Sequence, residues 1–531
     1  MTEDRQRAAG PPQAAEAAAT GVAMPHQPAK VVLVAPPNPS MVEPQIAPPL
    51  GLLYLVGYAR QQGEVTADWT VVDLNTECLG DWPARGHWTH DFSIERCMSL
   101  IPRGAQVYGI QLASMQIAHG RAIARELRRR EPQALLVCGG SHASALPDEC
   151  ADPAAMQGGH FDVVVEREGE RPFFELVQRA GEVLFQVRHG VWGVPGAEAA
   201  GLGIQGVRQA SGGIGWVVRG APIDPLNDLP FPARDKLDWS RYTRKIAGRP
   251  ATNIITTRGC PARCVFCQQA SLWGEGALRM QNAERILAEV DHIYKTTGIR
   301  HLLFLDDSLT ARPTQDMRAL CAGLKERGVL WRGWTRANLL TRSERDRETL
   351  QLMADAGCQA ICVGVEAGTD KVLKAMDKGT TVAQNREALR RIHEAGIRAR
   401  CSIMVGNPRE TWEDVLALVR FVEEMRDVVD DWILSSYVPL PGTPSWDEPG
   451  DYGFIIDKGK AVSEGYRHFF VVGGDEQSGM VHRYADGRGP DDIQRRHDFV
   501  QEALLRLAPR DRIAVTIGRN TGPAAAQGAS A

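Results

Sequence analysis

The chain has 531 residues, of which 43% are hydrophobic and 24% are charged, and its formal net charge is −4. This length exceeds what one hydrophobic core organises, so we expect a globular protein of two or more domains. Basic residues are spread along the chain and no apolar run approaches the length of a membrane span, which argues against nucleic-acid and membrane partners. The N-terminal residues lack the apolar segment of a signal peptide, so we expect a cytoplasmic protein.

Short apolar segments alternate with helix-like segments between about residues 30 and 181. Such alternation is typical of a parallel, doubly wound α/β sheet, which binds ligands at the carboxyl ends of its strands. Small or loop-forming residues follow several of the predicted strands, where they allow a large flat or phosphorylated ligand to approach the backbone. The candidate binding residues at these ends are Asn38, Ser114, Gly139, Gly140 and His142. The five predicted strands are KVVLVAPP, WTVVDL, VYGIQLAS, ALLVCGG and FDVVVERE.

Residues 186–245 are rich in glycine and only weakly periodic, which predicts a connector between two domains. The glycines of SGGIGWVVRG superficially resemble a phosphate-binding loop. No helix opens after them, so we expect a hairpin instead.

A second alternating segment runs from about residue 252 to residue 437. Its six β-strand and α-helix units predict a barrel or partial barrel, with functional groups at the carboxyl ends of the strands. The remainder, from about residue 445, shows no clear period and is expected to cap the barrel or complete a pocket. The six predicted strands are TNIITT, HLLFLDD, LWRGWT, AICVGVE, ARCSIMVG and DWILSSYVP.

Three cysteines, Cys260, Cys264 and Cys267, stand in the spacing Cys-x3-Cys-x2-Cys just after the first strand of this second segment. A structural zinc site needs a fourth ligand, and the next histidine, His292, lies in a predicted helix. A thiol redox motif uses two cysteines and leaves the third unexplained. Iron–sulfur clusters normally take four thiolates, so three on one loop would leave one iron of a four-iron cluster free for an exogenous ligand. The other eight cysteines are scattered and are expected to be small buried hydrophobes.

Further stretches at the predicted strand ends match the pattern of a known family. With the cysteine motif, they resemble radical S-adenosylmethionine (SAM) enzymes that carry an N-terminal cobalamin-binding domain, over roughly residues 30–440. The resemblance implies a Rossmann-like doubly wound sheet followed by a partial TIM barrel of (β/α)6 type. The matching stretches are PPLGLLYLVGYARQQG, VCGGSHASALPDE, DVVVEREGERPFFEL, NDLPFPARD, FLDDSLT, GVEAGTDKVLKAMDKGTT, IMVGNPRETWED and YVPLPGTPSW.

The resemblance also implies a division of the chain. The predicted parts are a disordered tail at 1–28, a cobalamin-binding-type domain at 29–185, a connector at 186–245, a radical SAM barrel at 246–444, a C-terminal substrate or cap region at 445–518 and a second disordered tail at 519–531.

The resemblance further implies roles for single residues. Cys260, Cys264 and Cys267 would hold a [4Fe-4S] cluster whose open iron takes the amino and carboxylate groups of S-adenosylmethionine, which is then cleaved to a 5′-deoxyadenosyl radical. Carried over by position, Glu366 would contact the ribose or amino group of S-adenosylmethionine, Arg336 its carboxylate, and Ser402 and Gly406 its adenosine. Asp306 and Asp307 would lie near the cluster or substrate, Tyr437 in the substrate pocket, and Gly169 and Glu170 in the Gly-Glu turn of the cobalamin-type domain.

Plain structural roles stay open beside these. Asp306 or Asp307 would then only cap the next helix, and His142 would be a solvent-facing loop residue rather than a contact for the cobalamin tail. Two positions also depart from the family pattern. The cobalamin-binding motif Asp-x-His-x-x-Gly is absent, so cobalamin would bind without a protein histidine on cobalt, or the domain kept its fold and lost the cofactor. The family's Pro-Gly-Glu-Thr reads PRET here, which puts Arg409 in place of glycine.

The resemblance predicts a cobalamin-dependent enzyme that methylates an unactivated carbon of a biosynthetic intermediate, through a 5′-deoxyadenosyl radical and methylcobalamin. The main alternative is a radical SAM dehydratase, cyclase, ring-contracting enzyme or epimerase whose cobalamin domain is empty or serves another role. A non-catalytic iron–sulfur or corrinoid sensor is a third reading, disfavoured because no DNA-binding output module is visible. The expected partners are a small-molecule or peptide substrate and an electron donor such as flavodoxin or ferredoxin.

Overall fold

The computed structural model describes residues 30–39, 44–63, 67–79, 91–188, 204–211, 215–466, 482–507 and 513–515. Both tails that were predicted to be disordered lie outside these residues. No helix in the described ranges is long and apolar enough to cross a membrane.

The first sheet contains the five predicted strands, all parallel, in the order β2-β1-β3-β4-β5. Alternate residues of β1 enter different cores: Val32 and Val34 pack on one face, and Val31 and Leu33 on the other. Both faces are therefore covered by helices, and the doubly wound prediction is confirmed. The strands are β1 Lys30–Ala35, β2 Asp68–Asp73, β3 Val107–Gln111, β4 Leu135–Gly139 and β5 Val163–Glu166.

The helices of this domain connect the strands and cover the sheet. The longest ones, α1 and α4, are the two that the sequence marks most clearly. The set is α1 Leu50–Gln62, α2 Leu74–Glu77, α3 Ile94–Leu100, α4 Ile117–Arg130, α5 Ser141–Ala145, α6 Pro147–Ala151, α7 Glu170–Gln178 and α8 Ala180–Arg188.

The predicted hairpin is present and extends the first sheet. Strands β6 (Ile204–Gln209) and β7 (Trp216–Gly220) pair antiparallel, and β7 adds in parallel to β5. The sheet thus reaches into the segment that was predicted as connector. The chain then crosses to the second domain through three short 3-10 turns, at Leu226–Asp228, Arg234–Lys236 and Trp239–Arg241.

The second sheet has the order β19-β16-β15-β14-β13-β12-β9-β8, and its neighbouring strands are parallel except for β8. The six predicted strands all occur in it, which confirms the partial-barrel prediction. The remaining strands form two hairpins, β10–β11 and β17–β18. The strands are β8 Lys245–Ile246, β9 Arg249–Ile254, β10 Thr257–Gly259, β11 Leu278–Met280, β12 His301–Phe304, β13 Trp331–Thr335, β14 Cys358–Glu366, β15 Arg398–Val405, β16 Asp431–Ser436, β17 Phe454–Ile456, β18 His482–Tyr484 and β19 Ile513–Val515.

Amphipathic helices cover the outer face of this sheet. Two of them start with a capping box, in which Thr381 and Thr411 each accept a bond from the third helical residue. The helices are α9 Gln269–Trp273, α10 Ala283–Thr297, α11 Thr314–Glu326, α12 Arg345–Asp355, α13 Asp370–Ala375, α14 Val382–Glu394, α15 Trp412–Met425, α16 Pro444–Asp447, α17 Lys458–Ser463 and α18 Pro490–Leu507.

The C-terminal region corrects the sequence analysis, which found no clear period there. Helix α18 has 18 residues and packs on α15. Its buried residues Ile493, His497, Val500 and Leu504 recur at helical spacing. The polar His497 in this stripe, with the buried Arg496 beside it, hides the pattern from a search for apolar residues alone.

A buried ion cluster joins the two domains. Arg258, on β10, donates to Glu168 at 2.6 Å and to Glu170 at 2.5 Å, and both glutamates follow β5 of the first sheet. Arg279, on β11, also pairs with Glu168 and donates to the carbonyl of Ile223 at 2.5 Å. The hairpin that precedes the three cysteines is therefore fastened to the first domain by four charged side chains.

Aromatic rings enclose this cluster. The guanidinium of Arg258 lies 5.4 Å from the ring centre of Tyr54 and 5.1 Å from that of Trp273. Burial alone would lower the pKa of Arg258, but the charges of Glu170 and Glu168 hold it above its usual value. The cluster remains charged because each member has partners, and losing one partner leaves a buried charge uncompensated.

We expect Glu168→Gln to lower the free energy of unfolding by about 3 kcal/mol, because Arg279 loses its carboxylate partner and Arg258 keeps only Glu170. In calorimetry this corresponds to a fall in melting temperature of roughly 6–12 °C. Glu126→Gln is the matched control, since Glu126 forms an exposed pair with Arg129 and should change stability by less than about 0.5 kcal/mol. Equal melting temperatures for the two variants would contradict a structural role for the cluster.

Candidate active site

The three cysteines lie on a loop that starts from a fixed point. Gly259 closes β10 with φ +93°, and a Cβ there would stand 1.9 Å from the carbonyl oxygen of Ala277. No other residue fits this position, because both the backbone angle and the close approach exclude a side chain. Cys260 follows immediately, so the hairpin sets where the loop begins.

The far side of the loop is held by the barrel and the C-terminal region. The backbone N–H of Val265 donates to Met376 O at 3.0 Å, and Ser445 N–H donates to Val265 O at 3.2 Å. Phe266 packs edge-on against Tyr437, with ring centres 6.2 Å apart. These contacts fix the backbone between Cys264 and Cys267.

Two of the three thiol groups lie close to polar side chains at the strand ends. Cys260 Sγ lies 3.4 Å from Ser308 Oγ, and Arg336 Nη1 lies 3.4 Å from Cys264 Sγ. Burial, with the nearby Cys264, Asp307 and Cys260, raises the pKa of Cys267 to about 12, although a bond from the Gln269 backbone lowers it. The three thiols therefore lie within electrostatic range of one another.

The arrangement suits a cluster better than a single ion. Within the part of the chain that the structure describes, no three His, Cys, Asp or Glu side chains are gathered closely enough to hold one metal ion, and this includes the three cysteines. A four-iron cluster binds each thiolate at a separate iron and so takes its ligands at wider spacing than one zinc ion does. The donor set, three thiols on one loop, matches such a cluster.

Asp306 ties the strand ends together. Its carboxylate accepts from the backbone of Thr256 at 2.6 Å and of Thr257 at 2.9 Å, and also from the Thr256 hydroxyl. Burial raises its pKa, while these bonds and the nearby Arg312 lower it. The side chain is almost completely buried, so its contacts are those of a residue that positions β10.

Asp307 has a different setting. Its carboxylate accepts from Gln269 Nε2 at 2.7 Å. Burial, with the neighbouring Asp306 charge, raises its pKa to about 7. Asp307 can therefore change protonation near neutral pH.

Glu366 stands at the carboxyl end of β14 in a strained backbone conformation, with φ +66°. Its Oε1 accepts from Lys378 Nζ at 2.7 Å, and both side chains are buried. A Cβ at Gly364 would lie 2.4 Å from Glu366 Oε1 and 2.7 Å from Lys378 Nζ. The pair therefore lies over the glycine, on the concave side of the strand, and sequence reasoning did not single out Lys378.

Arg336 connects this pair to the cysteine loop. Besides its contact with Cys264, it donates to the carbonyl of Lys378. It follows β13, and its guanidinium is largely buried. A cationic group beside the thiols can bind the carboxylate of a ligand that reaches the loop.

Ser402 and Gly406 lie on and after β15. Ser402 pairs in register with Gly364 and is half-buried. Gly406 has φ +80°, and its N–H donates to Glu410 Oε2 at 2.8 Å. Asn407 donates to Met404 O and to Glu410 Oε1, so the turn is braced from within.

Arg409 occupies the place where the family pattern has glycine. Its φ is +55°, a left-handed conformation that favours glycine. Its Nη2 donates to the carbonyl of Asp451 at 2.9 Å, which links the turn to the C-terminal region. Arginine in place of glycine thus costs conformational free energy in the backbone, and the bond from Arg409 to Asp451 partly offsets this cost.

Tyr437 follows β16 and is completely buried. Its ring stacks on Phe454 with centres 5.3 Å apart. Burial raises the pKa of its hydroxyl, which therefore stays protonated. The structure places this side chain against the cysteine loop, through Phe266.

In the first domain, the predicted strand-end residues lie at one edge of the sheet. The Asn38 N–H donates to Asn75 Oδ1 at 2.8 Å, and Ser114 Oγ lies 3.0 Å from His142 Nδ1. Gly140 has φ +108°, and a Cβ there would stand 2.7 Å from Leu112 O. Gly139 ends β4 directly before it.

His142 does not face solvent, which corrects one of the two interpretations of this residue. Its side chain is fully buried, and its Nε2 lies 3.4 Å from Glu149 Oε1. The Tyr466 ring packs edge-on against it, and the Tyr466 hydroxyl donates to Glu149 Oε2 at 2.7 Å. Tyr466, from the C-terminal region, therefore covers His142 at the carboxyl edge of the first sheet.

This edge faces the cysteine loop. Helix α5, which follows β4, contacts α9, which follows Cys267. A Cβ at Gly442 would lie 2.7 Å from Ala145 and 3.2 Å from Ser271 Cβ. Gly169 and Glu170 lie nearby, but the Glu170 carboxylate is engaged with Arg258.

Arg258 and Arg279 were missed by sequence reasoning. Arg258 stands two residues before Cys260, just ahead of the cysteine motif, where only the cysteines drew notice. A charged residue in a short β-segment beside a ligand loop can indicate a buried ion pair. The sequence does not reveal the partners of Arg258, because they follow β5, about ninety residues earlier in the chain.

Comparison with known proteins agrees with this architecture. The model of the Radical SAM superfamily matches residues 254–422. An uncharacterized methyltransferase of Pyrococcus horikoshii is 26% identical over 428 residues, which cover 79% of this chain and 82% of the relative. An anaerobic magnesium-protoporphyrin IX monomethyl ester cyclase of Cereibacter sphaeroides is 25% identical over 449 residues, which cover 80% of this chain and 67% of the relative.

One solved structure is similar over nearly the whole chain. It is the radical S-adenosylmethionine methyltransferase TsrM from Kitasatospora setae, with cobalamin and a [4Fe-4S] cluster bound. The TM-score is 0.63 at 19% identity, over 93% of this chain and 92% of that one. The likeness confirms the two-domain fold.

The strain at Arg409 predicts an order of stability between two substitutions. Arg409→Gly and Arg409→Ala both lose the bond to Asp451, but only alanine keeps the left-handed penalty, so the glycine variant should be more stable by about 1 kcal/mol. Melting temperatures measure the difference.

The same two substitutions at Arg420 provide the control. Arg420 is an exposed residue inside α15, where alanine should be the more stable of the two by about 1 kcal/mol. The same sign at both positions would show that Arg409 is not strained.

Proposed function

The chain carries a radical SAM domain, and on that premise we propose that it is a cobalamin-dependent radical S-adenosylmethionine enzyme that methylates a carbon of a small molecule. One observation carries the proposal: the three-cysteine loop at the mouth of the barrel abuts the carboxyl edge of a Rossmann-like sheet, through α5 and α9. The mouth of the barrel and the carboxyl edge of the Rossmann-like sheet, each of which would bind a different cofactor, thus lie side by side.

The cysteine loop fits a [4Fe-4S] cluster. Cys260, Cys264 and Cys267 would hold it, leaving one iron for S-adenosylmethionine. When bound, such a cluster supplies the electron that cleaves the sulfonium of S-adenosylmethionine. Cys264 is the buried one of the three cysteines, and the backbone of the adjacent Val265 is held by Met376 and Ser445.

The chain's own residues would then orient S-adenosylmethionine. Arg336 lies against Cys264 and can pair with the methionine carboxylate. Glu366, held by Lys378, offers a carboxylate to the amino group or the ribose hydroxyls. Ser402 and the Gly406 turn lie on and after the neighbouring strand, β15, and would border the adenosine.

The first domain's edge fits a large planar cofactor in its chemistry. Asn38, Ser114, Gly139 and Gly140 are small or amide-bearing, and His142 is held rigidly with no hydrogen bond at Nε2 within the described residues. When bound there, cobalamin supplies the methyl group. TsrM, which has this fold, holds cobalamin together with a [4Fe-4S] cluster, and the Pyrococcus relative is named a methyltransferase.

The alternative function keeps the radical and omits methyl transfer. The Cereibacter relative, named a cyclase, matches a similar share of this chain. Under this alternative the first domain would be empty or serve another role. The electron donor, a flavodoxin or ferredoxin, and the cytoplasmic location remain predictions.

Cys264→Ala tests the cluster. We expect a folded variant that binds little iron after anaerobic reconstitution and forms no 5′-deoxyadenosine, because one of three thiolates is lost. Circular dichroism, iron content and chromatography of the nucleoside measure these outcomes.

Cys321→Ala is the matched control for this substitution, since Cys321 is a buried cysteine of α11 outside the loop. It should reconstitute like the wild type. Cleavage of S-adenosylmethionine by Cys264→Ala would refute the assignment of the cluster.

Product analysis tests the methyl transfer. The cobalamin-loaded, reduced enzyme turning over a substrate should form both S-adenosylhomocysteine and 5′-deoxyadenosine, because one S-adenosylmethionine donates methyl and a second is cleaved. Formation of 5′-deoxyadenosine alone, with an unmethylated product, would favour the alternative function.

A further inference from the structure

The strands of the half-barrel divide their side chains between two faces. On β13, Trp331 packs into the core under the helices, and a Cβ at Gly333 would touch Leu309 and Phe304 of the same core. Because side chains alternate along a strand, Arg332 and Trp334 point to the opposite, concave face.

The same alternation holds on the neighbouring strands. On β14, Ile361 and Val363 belong to the core, which leaves Cys362 on the concave face. On β15, Ala399 and Cys401 belong to the core, which leaves Arg400 on the concave face.

Pairing in register aligns these residues across the sheet. Trp334 pairs with Cys362, Cys362 with Arg400, and Arg400 with Asp431. Leu303 pairs with Arg332, so Leu305, two residues further on, stands beside Trp334. A single row of side chains thus crosses the inside of the half-barrel.

One end of this row is apolar and accessible. Trp334 is 36% exposed and Leu305 is 38% exposed, although both lie inside the barrel wall. Exposed large apolar side chains inside a concave site are typical of ligand pockets.

The opposite end of the row, on β15 and β16, is charged, and a further arginine, Arg332, lies on β13 two residues before Trp334. Asp431 pairs with Arg398 at 3.0 Å and with Arg400 at 3.3 Å. Arg332 makes no hydrogen bond and no ion pair to any residue that the structure describes. Two arginines therefore share the Asp431 carboxylate and the third, Arg332, is unpaired among the described residues, so these four side chains carry an excess of two positive charges.

Electrostatics places Arg332 within this group. Burial and the Arg400 charge together lower the pKa of Arg332 to about 10, although Asp431 raises it. An unpaired, largely buried guanidinium is costly unless an anion joins it.

The row of side chains also lies close to the cysteine loop. Arg336, two residues beyond Trp334, contacts Cys264. Two residues of strand span about 6.6 Å. A ligand on Trp334 would thus lie directly below the position proposed for S-adenosylmethionine.

We propose that this row binds the substrate, and that the substrate is an amphipathic anion: an aromatic or apolar body on Trp334 and Leu305, and a carboxylate or phosphate beside Arg332 and Arg400. The inference rests on the proposed function in naming the ligand a substrate. The binding chemistry itself is independent of turnover.

Two fluorescent probes test the site on the full chain without any cofactor. Anilinonaphthalene sulfonate carries an aromatic body and an anion, and N-phenylnaphthylamine is its neutral counterpart. We expect Arg332→Gln and Arg400→Gln to raise the dissociation constant of the sulfonate roughly tenfold and that of the neutral probe less than about twofold. Arg400→Lys should recover most of the sulfonate binding, and Trp334→Ala should weaken both probes.

Matched controls lie outside the barrel. Trp412→Ala changes a tryptophan of similar exposure and Arg318→Gln a more exposed arginine, both on the outer helices, and both should leave the two probes unaffected. Displacement by benzoate or by phenyl phosphate, but not by benzyl alcohol, identifies the preferred anion.

Three results would overturn the proposal. Binding of the sulfonate that survives all three barrel substitutions would show that the probe binds elsewhere. Equal weakening of both probes by the arginine substitutions would show no preference for an anion. Displacement by S-adenosylmethionine, with no effect of benzoate or phenyl phosphate, would assign the row to the cosubstrate. None of these results bears on whether Cys264 holds a cluster, so the two proposals fail separately.

Discussion

The buried salt bridges of Arg258 and Arg279 with Glu168 and Glu170 are the interaction on which the proposed site depends. They connect the end of β5 to the hairpin from which the cysteine loop departs. Because four charges are desolvated together, the domains cannot separate here without exposing or stranding a charge. These ion pairs thereby fix the position of the first cysteine relative to the Rossmann-like sheet. Gly259, the single residue between Arg258 and Cys260, is held in a tightly packed turn, so the cysteine follows the position of Arg258.

On the barrel side of the site, hydrogen bonds and ion pairs between single side chains hold the functional residues in place. Asp306 binds the Thr256 and Thr257 backbone, Lys378 binds Glu366, and Arg336 bridges from Lys378 to Cys264. Asp306 and Arg336 join the ends of different strands, and Lys378 holds Glu366 from within the segment that follows β14, so these strand ends are braced against one another. Such bracing keeps ligand-binding groups in place on a sheet whose loops are otherwise free to move.

Sequence reasoning predicted the parts of the molecule that depend on local pattern. The alternation of strands and helices predicted both parallel sheets. The spacing of Cys260, Cys264 and Cys267 predicted the centre of the candidate site. It could not give Glu168 as a partner of Arg258, since that pairing depends on how two domains dock. The burial of His142 was likewise hidden, because Tyr466 reaches it from more than three hundred residues away. The row from Trp334 to Asp431 appears only when strand register is known.

Strand β19 has a consequence for how the protein is made. It pairs in parallel with β16, so the last edge of the barrel sheet is covered by residues 513–515, near the end of the chain. During synthesis, the six barrel strands leave the ribosome long before this one, and β16 presents an unpaired edge until it arrives. The interval between the two strands is then the period in which a nascent chain is most exposed to pairing with another copy of itself.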